Sequence, residues 1–280
     1  MHTLLPALLA IGAAMLMALG TVLRQRASRA DGRITGRWWI GALVAFGGFA
    51  LQAVALGLGA VLLVQPLIVL SVLFALPIDH LLNGVAVTAR QWLWGVLLAA
   101  GVGAFVVFAR PVPARIGPQW WILVLVVSLL LGGLAAVLVY AERSPRAPRA
   151  LIYGTVAGAL FGIVAVLIHS IGQDWQHPTR VLVHPPLYMV AVAGLAAVYC
   201  QQRAFAAGRV QASFPAMTVA EPIVAMVLGM AVLGEKLNRH TWATAVSLLG
   251  LALMVTGVLR LSRLSAAKTR QSEARAAETG

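Results

Sequence analysis

Nine apolar runs of spanning length follow one another along the chain, and they constrain the fold more than any other feature. A helix of about 20 apolar residues crosses the hydrocarbon core of a bilayer. The composition agrees, since 61% of the residues are hydrophobic and 10% are charged, whereas a soluble domain carries about 25% charged residues. The sequence therefore predicts an all-α, polytopic membrane protein.

Windows of about 19 residues predict the bounds of the nine helices. The predicted helices are Leu4–Leu23, Trp38–Leu58, Val61–Leu82, Trp92–Phe108, Trp120–Tyr140, Ala150–Ser170, Leu187–Ala207, Val210–Leu233 and Trp242–Leu261. No basic segment precedes the first run, so we interpret it as a retained span and not as a secretory signal. Residues 262–280 have no apolar face, which predicts a disordered cytoplasmic tail.

The basic residues are distributed unequally between the two sides of this layout. Of the 21 Lys and Arg residues, 16 fall on the side that the first helix reaches and five on the other. Cytoplasmic loops are enriched in Lys and Arg, which predicts an external N-terminus and a cytoplasmic C-terminus in a multi-pass plasma-membrane protein. The net charge of +13 therefore reflects topology, and we expect no nucleic-acid partner.

An internal repeat relates the two ends of the chain. A shift of about 150 residues superposes four pairs of positions. The pairs are Gly59 and Gly208, Pro66 and Pro215, Trp92 and Trp242, and Arg110 and Arg260. Because five spans separate the copies, the second copy crosses the membrane in the opposite sense. We predict a 4+1+4 inverted-topology repeat, with repeats at 1–110 and 150–261, a connector at 111–149 and the tail at 262–280.

One carboxylate lies inside an apolar run. Glu221 is in the run Ala216–Leu233 and directly precedes Pro222. A charged group costs several kcal/mol near the bilayer centre, so acids there usually face a cavity, a partner or an ion path. Pro222 also leaves the carbonyl of Thr218 without its helical partner. Together these features predict a transporter site near the midplane.

Other polar groups inside the helices extend this candidate site. Phe214 and Thr218 share a helical face with Glu221 by their spacing. Buried glutamines need partners, so they either line the site or bond between helices. Arg203 is a candidate partner of Glu221. The residues that we expect at the site are Glu221, Thr218, Phe214, Gln65, Gln52, Gln202 and Ser71, with helix breaks at Pro66, Pro215 and Pro222.

Two segments resemble a known transporter superfamily. Ala220 to Leu237, AEPIVAMVLGMAVLGEKL, resembles the closing helices of the EamA-like drug/metabolite transporters. Trp38 to Phe74, WWIGALVAFGGFALQAVALGLGAVLLVQPLIVLSVLF, is similar to the NIPA-type magnesium transporters of that superfamily. The resemblance implies alternating access and transport of a small solute or cation, with magnesium as one candidate.

The chain departs from that pattern at one acidic position. Where the family has an acidic pair at the end of the third helix, in the position equivalent to Gly234 and Glu235, this chain has Val85 and Ala86. A hard divalent cation prefers oxygen ligands that include a carboxylate, and Glu221 and Asp79 are the membrane acids for that role. Glu235 is interpreted either as an interfacial cap or as a substrate contact.

The function expected is that of a secondary carrier. Glu221 either releases a proton when substrate arrives or coordinates a cation directly. Beyond a proton or divalent cation no cofactor is expected, and no cluster of catalytic groups indicates an enzyme. A lipid flippase or a non-transporting membrane subunit is the alternative. A homodimer stays open by analogy with small relatives, although nine spans can enclose a path alone.

Overall fold

The described residues lie almost entirely in α-helices. The computed structural model describes residues 3–31, 36–84, 86–111, 120–143, 146–173, 182–183, 185–207, 210–237 and 240–278. The helices in these ranges are α1 Leu4–Asp31, α2 Gly36–Leu58, α3 Val61–Ile68, α4 Ser71–Asn83, α5 Ala89–Ala109, α6 Trp120–Glu142, α7 Arg146–Gly172, α8 Pro185–Ala207, α9 Val210–Ala231 and α10 Thr241–Glu278. Gly208 and Val85, which the repeat and the family comparison used, lie outside the described residues.

Eight helical segments within the described ranges are long and apolar enough to cross a membrane. They are Leu4–Arg24, Trp38–Leu58, Val61–Asn83, Ala89–Ala109, Trp120–Glu142, Arg149–Gly172, Phe214–Ala231 and Thr241–Leu264. The prediction of nine spans is thus confirmed for eight. The remaining prediction corresponds to α8, which has the length of a span but carries Gln201, Gln202 and Arg203 near its end. The chain is an all-helical, multi-pass membrane protein.

The third predicted helix is divided into α3 and α4. The two helices form one span, but the backbone tightens between them: the Leu70 N–H donates to the Leu67 carbonyl at 3.1 Å and the Val72 N–H to the Val69 carbonyl at 3.1 Å. Such three-residue hydrogen bonds replace the four-residue ladder at a helix junction. The division lies beyond Pro66, which remains inside α3.

The C-terminal segment differs from the sequence prediction. The sequence predicts a disordered tail from Ser262, whereas α10 continues to Glu278. Ala, Arg, Lys, Gln and Glu are all good helix formers. A polar segment of this composition can therefore extend the preceding span as a helix without an apolar face to bury.

The helices pack in a pattern that is similar in the two halves. α1 packs along α2, and α7 packs along α8. α1 also contacts α3 and α4, as α7 contacts α9, and α5 packs against α10. α6, the predicted connector, is mostly exposed and touches α7 and α8.

The contact between α5 and α10 is reciprocal. A Cβ at Gly101 would lie 2.7 Å from the Gly250 carbonyl oxygen and 2.9 Å from the Met254 nitrogen. A Cβ at Gly250 would lie 2.7 Å from the Gly101 carbonyl oxygen and 3.0 Å from the Phe105 nitrogen. Residue 101 meets 254 and residue 105 meets 250, so the two helices run in opposite directions.

Candidate functional site

Glu221 is held on α9 by close packing against α7. A Cβ at Gly162 of α7 would lie 2.5 Å from the carbonyl oxygen of Glu221, and a Cβ at Gly158 would lie 2.3 Å from the carbonyl oxygen of Met217. Small residues allow this backbone approach, which a larger side chain would prevent. The order of the two contacts is the same along both helices, so α7 and α9 run in the same direction. The glycines thereby fix the position of the Glu221 backbone.

Gln52 meets the Glu221 side chain from the other half of the chain. Gln52 lies on α2 and is only 5% exposed, and its side chain forms a hydrogen bond with the Glu221 carboxyl. Glu221 itself is partly buried. A buried carboxamide requires a hydrogen-bonding partner, and the carboxyl supplies one. This pair brings together two residues of the predicted site.

Thr218 and Phe214 lie on the same face of α9, as predicted. Both residues are partly buried. The Thr218 hydroxyl donates to the Phe214 carbonyl at 2.9 Å, a bond within one helical turn. The Thr218 carbonyl faces a position where Pro222 has no N–H to donate. The face therefore offers the Glu221 carboxyl and the Thr218 carbonyl on successive turns.

The three prolines do not interrupt the helices in which they lie. α9 is continuous through Pro215 and Pro222, and α3 is continuous through Pro66. The prediction of helix breaks at these positions differs from the structure for a physical reason. Each proline removes one ladder hydrogen bond, but packing against neighbouring helices supports the backbone around it, as is common in membrane helices.

The glutamines of α8 divide into one that faces α9 and one that does not. Gln201 donates through Nε2 to the sulfur of Met217 at 3.2 Å, one turn before Glu221. Gln202, which we predicted at the site, is exposed. Successive residues of a helix point about 100° apart, so the two side chains cannot share one face. The structure therefore places Gln201 near the site in place of Gln202.

Gln65 is buried without a partner. The side chain is 1% exposed, and within the described residues neither its Oε1 nor its Nε2 has a hydrogen-bonding partner. It lies on α3, among the buried residues Val64, Pro66 and Leu67. A buried carboxamide without a protein partner costs free energy, so Gln65 is a candidate contact for a polar group.

The residues predicted on α4 lie apart from this arrangement. Ser71 is the first residue of α4 and is partly buried. Asp79 accepts a hydrogen bond from Asn83 Nδ2 at 2.6 Å within the same helix. In the described part of the chain, no three His, Cys, Asp or Glu side chains form a group that could hold a metal ion. The structure does not bring Asp79 together with Glu221.

Arg203 pairs with a different acid from the one expected. Its Nη2 lies 2.5 Å from Glu142 Oε1, and its guanidinium lies 5.7 Å from the centroid of the Tyr153 ring. Glu142 also accepts a hydrogen bond from the Tyr153 hydroxyl and lies 3.4 Å from Arg149. This cluster joins α6, α7 and α8, so Arg203 is engaged away from Glu221.

Sequence reasoning missed the role of a second acid. Glu235 is 3% exposed, and its carboxylate accepts hydrogen bonds from the N–H groups of Val61 at 2.7 Å and Leu62 at 2.9 Å. Burial raises the pKa of Glu235, while the two N–H donors and nearby His169 act in the opposite direction. The residue is indeed a cap, but it caps a helix of the other half and is not at an open interface.

The comparisons with known proteins bear on the whole chain. An uncharacterized protein of Corynebacterium glutamicum is 37% identical over 280 residues, which cover 94% of this chain and 96% of that protein. The chain belongs to the family of that protein. The match covers most of the chain and is not confined to one segment. No family model and no solved structure matches the chain.

Proposed function

We propose that this protein is a secondary transporter that moves a small solute or cation by alternating access. The observation that carries the proposal is the hydrogen bond between Gln52 and Glu221, which joins α2 and α9 within two candidate spans. A carboxyl group is expensive in a bilayer, so it is retained where it faces a path, a partner or an ion. A neutral polar side chain would satisfy Gln52 equally well, so the hydrogen bond alone does not explain why the partner is a carboxyl group.

The packing pattern supports the architecture that such a mechanism needs. Transporters of this type consist of two inverted repeats, and the substrate site lies where the repeats meet. Equivalent helix pairs pack alike in the two halves, and the equivalent helices α5 and α10 cross in opposite directions at Gly101 and Gly250. Gln52 belongs to the first predicted repeat and Glu221 to the second, so their contact lies between the repeats.

Two mechanisms use this geometry differently. In the first, Glu221 holds a proton in the dry site and releases it when substrate arrives, which couples transport to a proton gradient. In the second, the ionised carboxylate and the Thr218 carbonyl are direct ligands of a cation, because hard cations prefer oxygen donors. The first mechanism requires flux that responds to pH, and the second requires flux of the cation itself.

The resemblance of two segments to the drug/metabolite transporter superfamily supports the same proposal, with the NIPA-type branch as the candidate within it. Magnesium is one candidate substrate, although the chain has Val85 and Ala86 where that branch carries an acidic pair. We further propose a plasma-membrane location, an external N-terminus and a cytoplasmic C-terminus from the distribution of basic residues. The proposal covers two assemblies, a path formed by one copy and a path formed by a homodimer.

A lipid flippase is the second candidate. Glu221 is partly exposed, and a headgroup path that opens to lipid would need an acid with such access. The carrier and the flippase differ in what crosses the membrane. A soluble substrate crosses through the closed layer of helices, whereas a lipid moves its headgroup along an open groove.

The test is flux through the full chain reconstituted in proteoliposomes. Magnesium, a panel of small metabolites and a fluorescent phospholipid are offered with and without a pH gradient, and protein-free vesicles are the baseline. We expect saturable flux of magnesium or of one class of metabolite. Phospholipid movement without solute flux would replace the carrier with the flippase, and no movement of either would leave a non-transporting subunit.

A further inference from the structure

The N-terminus of α3 has no cap of its own. The residue before it, Ala60, has no side chain that can accept a hydrogen bond, and no local cap bond is present. The first N–H groups of a helix lack intrahelical partners and attract negative charge through the helix dipole. When these groups are buried, an acceptor from elsewhere in the protein is needed.

Glu235 supplies that acceptor from the connection between α9 and α10. Gly234 adopts φ +71, a left-handed conformation that glycine adopts without strain, and this turns the chain after α9. The Glu235 N–H donates to the Gly229 carbonyl at 3.0 Å. Its carboxylate then reaches the N–H groups of Val61 and Leu62. One side chain thus fastens the end of α9 to the start of α3.

The ends of α2 and α7 meet at the same place. His169 of α7 places Nδ1 2.7 Å from the Leu56 carbonyl oxygen and Nε2 3.9 Å from Glu235 Oε1. A Cβ at Gly172 would lie 2.5 Å from the Gly57 Cα, so no side chain separates the two helices there. Four helix ends from both predicted repeats therefore converge on one buried carboxylate.

This convergence lies at the helix ends and not at the level of Glu221. Phe49 stacks on Phe161 with ring centroids 6.3 Å apart, and Gly57 meets Gly172 further along, so α2 and α7 run in the same direction. The glycine contacts described above set α9 in that direction as well. Gly229, beside Glu235, is two turns beyond Glu221, which is about 12 Å along a helix.

Gln65 lies between these two levels. α3 begins at Val61, whose Cβ is 3.6 Å from the Cβ position at Gly229. From there α3 runs into the span Val61–Asn83. Gln65 follows Val61 by one turn, about 6 Å further into the layer. Counted from the N-terminus of α3, where Glu235 binds, the unpaired carboxamide of Gln65 is the first polar side chain of α3. By residue count, Gln65 lies about 6 Å and Glu221 about 12 Å from the level of Glu235 along their helices.

We propose that the bond between Glu235 and the N-terminus of α3 is a closed gate, which separates the central site from the membrane surface on the α9–α10 side, with Gln65 directly behind it. This gate rests on the proposed transport function, since alternating access requires a barrier on each side. The gate opens when the carboxylate leaves the Val61 and Leu62 N–H groups. The predicted orientation places it on the external face.

Thiol accessibility tests the gate without any substrate. The chain has one cysteine, the buried Cys200, so Cys200→Ala provides the parent. Gln65→Cys reports on the space behind the gate, and Lys236→Cys, at an exposed position of the same connection, identifies the side from which a membrane-impermeant thiol reagent arrives. Labelling of intact proteoliposomes is then compared for Glu235, Glu235→Gln and Glu235→Ala.

We expect the thiol at position 65 to be protected with Glu235 and labelled about tenfold faster with Glu235→Ala, the change expected when a helix loses its cap. Glu235→Gln keeps one acceptor and should give an intermediate rate. Glu142→Ala, at an exposed acid of another cluster, should leave the rate unchanged. Equal rates for Glu235 and Glu235→Gln in folded protein, as judged by gel filtration, would overturn the gate even if Glu235→Ala fails to fold.

The outcome is independent of the flux experiment. Labelling that depends on Glu235 while nothing crosses the membrane would keep Glu235 as the barrier in front of Gln65 and would remove the transport function. Saturable flux together with unchanged labelling would keep the transporter and remove Glu235 as its barrier.

Discussion

Gln52 and Glu221 form a hydrogen bond between a helix of the first predicted repeat and a helix of the second. Two side chains that act as one unit give non-additive losses when they are changed separately and together. We therefore expect Gln52→Ala to reduce flux, Glu221→Gln to reduce it further, and the double variant to be no worse than Glu221→Gln. Initial rates of flux at one substrate concentration provide the cycle.

Independent, multiplicative losses in that cycle would show that the two residues act separately. The same result would place Gln52 in helix packing only. A parallel measurement of thermal stability in detergent tests the packing role. If Gln52 only packs between helices, Gln52→Ala lowers the thermal stability together with the flux.

The second prediction concerns the contact between α7 and α9. Gly162→Ala places a methyl group 2.5 Å from the Glu221 carbonyl oxygen, a distance that backbone atoms cannot accept without moving. Overpacking of this kind costs about 1–3 kcal/mol. Gly194→Ala on α8 is the matched control, since nothing lies within 4 Å of its added methyl group. Equilibrium unfolding in detergent should show a loss for the first variant and none for the control.

The third prediction uses the reciprocal contact between α5 and α10. Gly101→Ala and Gly250→Ala each direct a methyl group at the partner's carbonyl oxygen at 2.7 Å, so both should destabilise the protein by a similar amount, about 1–3 kcal/mol. Gly103→Ala has open space around it and should be neutral or slightly stabilising. A large loss for one glycine and none for its counterpart would contradict the reciprocal geometry.

The fourth prediction concerns Arg203. Because its guanidinium pairs with Glu142 and lies over Tyr153, Arg203→Gln should leave the affinity for substrate unchanged. The concentration dependence of flux gives that affinity. A rise in the half-saturating concentration similar to that caused by Glu221→Gln would place Arg203 in the central site after all.

The span layout was predictable because the bilayer imposes one strong requirement on every segment. Each crossing needs about 20 apolar residues, and eight of the nine predicted runs satisfy this in the structure. The exception, α8, carries Gln201, Gln202 and Arg203 in its last two turns, and these residues lower its hydropathy. Helix ends were less predictable, since the end of α10 depends on helix propensity and not on hydropathy.

The site was predictable only in part. Glu221 stands out from its apolar surroundings, and Gln52 belonged to the predicted set because a buried carboxamide needs a partner. Which glutamine of α8 faces α9 depends on the rotation of that helix, and hydropathy does not define it. Local signals do not reveal that Glu235 caps α3, because its partners Val61 and Leu62 are distant in sequence. Ala60, a poor capping residue, indicates only that some acceptor must come from elsewhere.

The central claim is that flux depends on the carboxyl of Glu221, and the most direct measurement is the initial rate of flux for Glu221→Gln beside Glu142→Gln. The two substitutions make the same chemical change, one in α9 at the site and the other at an exposed acid at the end of α6. We predict that Glu221→Gln lowers coupled flux far below that of Glu142→Gln, which retains most of it, with both proteins reconstituted to the same density. Equal flux in the two variants would contradict the account and remove Glu221 from the transport mechanism.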